Sequence, residues 1–192
     1  MAQPAADHRR ATAERNVEAI LDGAERLLQR GAPLTIAAVA TEAGVSRVTV
    51  YAHFARLPQL VEAVVARVVG GVDDVLQTAA PDDGPALDAV DRVVDTGWAH
   101  LDRHAAVAAA AAEHLSPAQL HSSHAAVMGT VERLLERGRT EGTVRDDLPL
   151  DWLVTALFAL MHNAGDQVRA DRLDAAEAPA VLRATVRSLL AA

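Results

Sequence analysis

Apolar residues recur along this chain at the 3.6-residue period of amphipathic helices, and no stretch holds the two-residue alternation of a strand, so the pattern predicts an all-α fold. Val17, Ile20, Leu21, Ala24, Leu27 and Leu28 line one face of a first helix over about 12–30, which Gly31 ends. Ile36, Val39 and Ala40 share one face of a short second helix, Ile36–Ala43, with Thr35 placed to cap it. Gly44 stands where that helix must stop and turn sharply, a left-handed position that glycine takes without steric cost. Val45 plugs the inside of the turn, and Ser46 caps a third helix running to about His53. Val50 and Phe54 share its apolar side, while Arg47, Thr49, Tyr51 and His53 fall mainly on the others. A short helix showing arginine, hydroxyls and imidazole outward suits a polyanion.

The rest of the chain continues in helices. A fourth starts at Pro58 and runs Leu60, Val64, Val68, Val72 and Val75 down one stripe, weakened at Gly70-Gly71 by roughly 1 kcal/mol per glycine. Residues 79–85, AAPDDGP, form a loop. The next helix turns Leu87, Val90, Val94, Trp98 and Leu101 inward and Asp88, Asp91, Arg92, Asp95 and Asp102 outward. Residues 105–112 are nearly pure alanine and valine, which permits close helix packing, and Ser116 with Gln119 forms a capping box around Pro117. The helix it opens reaches about Arg139 through Val127, Val131, Leu134 and Leu135, before a loop over 138–149. Two last helices, about 151–169 and 175–190, carry broad apolar faces, the first including Trp152, Leu153, Leu157 and Phe158. Such helices need covering on several sides, and two from each of two subunits would close a four-helix bundle, so a homodimer is expected.

The segment 34–54 resembles the DNA-binding segment of TetR-family (tetracycline-repressor-like) transcriptional regulators. The match lies in Leu34-Thr35-Ile36, in Ala40-Thr41-Glu42-Ala43-Gly44-Val45-Ser46 and in Thr49-Val50-Tyr51-Ala52-His53-Phe54, and it covers roughly residues 15–60. The loop GRTEGTVRDDLP, 138–149, is similar to the one before the last two helices in many of these regulators. The resemblance implies double-stranded operator DNA as a partner. Arg47 and Val48 would then read base edges, while Thr35, Ser46, Thr49, Tyr51 and His53 would position the helix on phosphates. One departure stands out: the family usually has a phosphate-contacting lysine just after the His-Phe pair, and here that position is Leu57, with Arg56 next door to replace it in part. Position 47, often glycine or another small residue in relatives, is arginine here.

Composition narrows the setting. With 192 residues and 51% hydrophobic content the chain can bury a substantial core. It has no cysteine, so neither disulfides nor thiolate metal sites arise, and a reducing cytoplasm suits it. The N-terminus lacks the apolar core of a signal peptide, and the uncharged run 152–164 is too short to span a bilayer. A formal net charge of −8 argues against DNA binding until its distribution is considered. Residues 1–60 hold seven arginines and six acids, a net of +1, whereas residues 61–192 hold eleven arginines and twenty acids, a net of −9. Arg9, Arg10 and Arg15 sit where a flexible arm over residues 1–11 or the first turn of helix would meet the phosphates or the minor groove.

Candidate chemistry outside the DNA segment is sparse. His100 and His104 lie four apart and His121 and His124 three apart, but no metal-binding helical motif accompanies either pair. Ser122 and Ser123 lack a nucleophile elbow, and no phosphate-cradling glycine loop occurs. No catalytic residue, metal or cofactor is therefore expected. A ligand cavity between helices would draw on Trp98, Leu101, His104, His121, Met128, Trp152, Phe158, His162 and Asn163. The reading is a DNA-binding domain over 12–57 and a helical domain over 58–192 that binds a small-molecule effector and dimerises, together a ligand-responsive repressor. A helical scaffold that has lost DNA binding, and an enzyme built on the histidines, are the alternatives.

Overall fold

The structure, a computed structural model, describes residues 3–192, with all their side chains except those of residues 3–9 and 73–75. Among the described residues it is all helical: α1 (Gln3–Gln29), α2 (Ile36–Ala43), α3 (Arg47–His53), α4 (Leu57–Thr78), α5 (Ala86–Arg103), α6 (Ala105–His114), α7 (Pro117–Ser123), α8 (Ala125–Thr140), α9 (Leu150–Arg169) and α10 (Ala178–Leu190). The sole β-type pairing there is an isolated antiparallel bridge between Val144 and Ala191. No helix among them is long and apolar enough to cross a membrane.

The chain divides into two compact units, residues 1–67 with 106–120, and residues 68–105 with 121–192. The first half of α4 thus groups with the first unit and not with a segment 58–192. The cause is its apolar stripe: Leu60, Val61, Val64 and Val65 are all buried. Ile20, Leu21, Ala24 and Leu27 of α1 are buried as well, together with Val39 and Ala40 of α2 and Val50 and Phe54. Arg67 adds a polar clamp from α4 to α1, 2.8 Å from Asp22, 2.6 Å from Glu25 and 3.3 Å from Glu18.

In the second unit, α5 packs against α8, α9 and α10 around Val90, Val94, Trp98, Leu135, Leu153, Leu157, Leu182 and Leu190. Of the four acidic residues expected to face outward on α5, Asp88, Asp91 and Asp95 meet α10, while Asp102 is exposed. Arg187 lies 2.8 Å from both Asp88 and Asp91, and Arg183 pairs with Asp95. The Arg92 side chain donates to the carbonyls of Ala79, Ala80 and Asp83, which ties down the loop before α5.

Several boundaries differ from the periodicity. Helix α1 starts at Gln3 rather than near residue 12, because Pro4 suits a first helical turn and Ala5, Ala6 and Ala11 favour helix. The expected arm residue Arg9 and the stripe residue Val75 lie outside the described side chains. The helix expected to run from Pro117 to about Arg139 is two, broken at His124, after Ser122 and Ser123. Serines offer the backbone side-chain hydrogen bonds that compete with helix continuation.

Gly138, where the expected helix end and the expected loop overlap, is buried within α8. A Cβ there would collide with Cγ2 of Val144 and stand 3.1 Å from Cβ of Ala86. Gly138→Ala should therefore destabilise the protein by about 1–3 kcal/mol, seen as a fall of several degrees in Tm by circular dichroism. Gly129→Ala in the same helix meets only Nη1 of Arg133 at 3.7 Å and should leave Tm unchanged or raise it.

Candidate nucleic-acid interface

The turn between α2 and α3 is built by its caps. The Thr35 hydroxyl accepts from the Ala38 amide at 3.1 Å and starts α2. Gly44 ends it at φ +67°, in the left-handed region, with its amide returning to the carbonyls of Ala40 and Thr41. The Ser46 hydroxyl accepts from the Thr49 amide at 3.0 Å and shares a 2.9 Å hydrogen bond with the Thr49 hydroxyl. Thr35, Ser46 and Thr49, read as phosphate contacts, thus all have work within the fold. Val50 turns inward and is fully buried.

Outward, α3 presents a different set. Arg47 and Arg56 are exposed and have no hydrogen-bond or ion-pair partner among the described residues. Val48 is 78% exposed and Tyr51 55% exposed, and His53 is half-buried. Several acids of this unit are engaged away from α3. Glu42 accepts from Arg26 at 2.9 Å and from Arg30 at 2.7 Å, and three acids of α1 surround Arg67. A modest net charge in residues 1–60 therefore leaves two unpaired guanidiniums on or beside α3. Arg10, by contrast, lies on α1 and pairs with Glu14 at 3.1 Å.

The hydrogen bonds from Arg30 and then Arg26 hold the Glu42 carboxyl down to about 2, from an ordinary 4.5. A carboxyl with a depressed folded value stabilises above its unfolded value and loses that contribution as pH falls toward the folded one. The advantage of the native protein over Glu42→Gln, measured as a urea midpoint, should be full above about pH 4.5 and shrink toward pH 2.

All the expected ligand residues fall in the second unit, some of them buried and some at its surface. Trp98 and Met128 are in the core, with Leu101 packed against it. His104 stacks on His100, ring centroids 4.4 Å apart, and its Nδ1 lies 2.9 Å from the His100 carbonyl. Phe158 lies 4.1 Å from His162 and 4.7 Å from His124 between ring centroids. Trp152, Asn163 and His121 are at the surface, not in the interior of a subunit. Trp152 is 59% exposed because it points away from the side of α9 that buries Leu153 and Leu157.

His100 and His124 are the residues that the periodicity did not nominate for a ligand site. Both His100 ring nitrogens are buried without a hydrogen-bond partner among the described residues. Burial, then the neighbouring His104, pushes the His100 imidazole down from its ordinary value, and burial does the same to His162 despite the Phe158 carbonyl 3.0 Å from its Nδ1. Both rings thus favour the neutral form, in which each offers one donor and one acceptor. The i, i+4 spacing of His100 and His104 was the available signal. No group of three or more potential ligands placed to hold a metal ion occurs among the described residues.

Residues 20–64 match the model of the bacterial regulatory proteins of the tetR family. No curated protein matches the chain. Solved structures match nearly the whole of it. A TetR-family regulator from Agrobacterium tumefaciens is 17% identical, with 94% of this chain and 100% of that one covered at a TM-score of 0.70. The TetR-like regulator LfrR of Mycobacterium smegmatis, in complex with proflavine, is 21% identical over 93% of this chain and 98% of its own, TM-score 0.67. A protein from Saccharomonospora viridis described as a transcriptional regulator, in complex with choline, is 20% identical over 92% and 97%, TM-score 0.70. At these identities the likeness is one of fold. The segment 20–64 is thus similar to the bacterial regulatory proteins of the tetR family, and the all-α fold around it is the one that these solved structures share.

Proposed function

We propose that this DNA-binding regulator is a homodimeric repressor, released from a palindromic operator when a small molecule binds its second unit. The observation that carries the reading is the outward face of α3, where Arg47, Val48 and Tyr51 are exposed beside the unpaired Arg56. None of these side chains is needed to close the fold, and together they supply charge, a hydrogen-bonding ring and an apolar contact to a groove. In this reading Arg47 and Val48 meet base edges, and Tyr51, His53 and Arg56 meet the backbone, with Thr35, Ser46 and Thr49 adding whatever their hydroxyls can spare from capping.

Dimerisation is supported by what α9 and α10 leave uncovered. Trp152, Thr155, Ala159 and Asn163 follow one face of α9, and Val181, Ala184, Thr185 and Ser188 one face of α10, all exposed in the single chain. Exposed Trp152 and Val181 beside small residues suit helices packed closely across a two-fold axis. Two α3 helices set about 34–36 Å apart would meet successive major grooves. The half-buried imidazoles of the second unit are the groups placed to orient an effector, and LfrR with proflavine shows a protein of this fold holding a small molecule. Because coupling is reciprocal, operator must weaken effector binding by the factor with which effector weakens operator binding. We assign the chain no catalytic role.

The test is binding of the purified protein to DNA selected from random sequence, titrated against salt. A specific site whose affinity falls steeply with salt supports the reading. Its absence at low salt overturns it. Leu57→Lys, at the start of α4, should steepen the salt dependence by somewhat under one unit in log K against log[salt], the expectation for one added phosphate contact. An unchanged slope would show that this helix start does not face DNA.

A further inference from the structure

The outward face of α3 carries an apolar strip that folding does not explain. Val48 is the most exposed large hydrophobic side chain among the described residues. Ala52, one helical turn further on, is exposed as well. A lone exposed valine is ordinary on a protein surface. This one stands out for its company, because it adjoins the unpaired Arg47 and shares the outer face of α3 with Tyr51, while the packing of α3 is carried on the opposite side by Val50. Val48 is also the second residue of α3, and recognition helices bring their N-terminal residues to the base edges.

On those edges the major groove of B-DNA offers one apolar group, the C5-methyl of thymine. Valine has no donor or acceptor, so it gains nothing from the polar atoms of a base. Set over cytosine, it would leave the exocyclic amine without a partner. We propose that Val48, extended by Ala52, reads the C5-methyl group of a pyrimidine in each operator half-site, next to the base pair read by Arg47. The inference rests on the DNA-binding reading above and names the chemistry by which that surface selects its site. In unmodified DNA the methyl belongs to thymine, and 5-methylcytosine carries the same group.

The experiment starts from the operator that wild-type protein selects out of random-sequence duplexes. Each thymine of the half-sites is then replaced in turn by deoxyuridine, which removes the methyl and leaves the hydrogen-bonding edge intact. One position, adjacent to the base pair whose preference Arg47→Ala relaxes, should cost wild-type protein about 4-fold in affinity per half-site, the worth of one buried methyl group. Val48→Ser should bind the thymine and uracil operators alike while keeping the wild-type Tm, since the side chain is exposed. At the same position wild-type protein should prefer 5-methylcytosine to cytosine, and Val48→Ser should not. Indifference of wild-type protein to every thymine-to-uracil change, or an equal response from Val48→Ser, overturns the inference and leaves the DNA-binding reading standing. Failure to enrich any sequence overturns that reading, and the inference falls with it.

Discussion

Ala159→Asp combined with Val181→Asp should give a folded monomer that no longer holds its operator. Both side chains are exposed in the single chain, on faces of α9 and α10 that carry no part of its core. Helicity and cooperative unfolding should therefore survive, while sedimentation shifts from dimer to monomer at micromolar concentration. Placing four carboxylates in a dry two-fold interface costs far more than such contacts return. Losing the second half-site should lower operator affinity by about 10²–10⁴-fold, because the second α3 no longer binds as a tethered partner. Leu157→Asp and Leu182→Asp are the contrasting pair. Both leucines are buried within the subunit, so these changes should unfold it rather than separate it. A wild-type protein that sediments as a stable folded monomer would refute the dimer.

The second large effect concerns specificity. Arg47→Ala should relax preference at one base pair in each half-site, at a cost of about 1–3 kcal/mol per half-site if its guanidinium makes a good bidentate contact. Tyr51→Phe and His53→Ala should instead weaken binding by similar factors across operator variants, since backbone contacts carry no sequence information. Affinity measured against a panel of single-base operator variants separates the two patterns. An unchanged preference profile for Arg47→Ala would move base reading to other residues of the first unit.

Much of this was open to reading from residues alone where the physics is local. The limits of α2 were legible because Thr35 and Gly44 act on backbone groups within a few residues of themselves, one by accepting an amide and one by adopting positive φ. The Ser116–Gln119 capping box was legible for the same reason, with the Gln119 side chain accepting from the Ser116 amide at 3.1 Å. The break at His124 was not, because the 3.6-residue period continues on both sides of it and a one-residue interruption hardly changes the pattern. The need for glycine at 138 was not legible, because Val144 folds back from beyond the end of α8 and Ala86 belongs to α5.

By itself the sequence determined that the chain is helical, where the caps at Thr35, Gly44, Ser46 and Ser116 fall, and which family's DNA-binding segment residues 34–54 resemble. Periodicity, capping and φ preference are properties of neighbouring residues, so they need no knowledge of what packs against what. The tertiary structure decided the pairing of charges and the direction of apolar side chains. It joined Glu42 to two arginines and set three acids around Arg67, which leaves Arg47 and Arg56 without a partner among the described residues. It also divided the apolar residues of α9 between a core face with Leu153 and Leu157 and an outer face with Trp152. An apolar pattern records that a residue avoids water, and only the packed fold shows whether its own chain provides the cover.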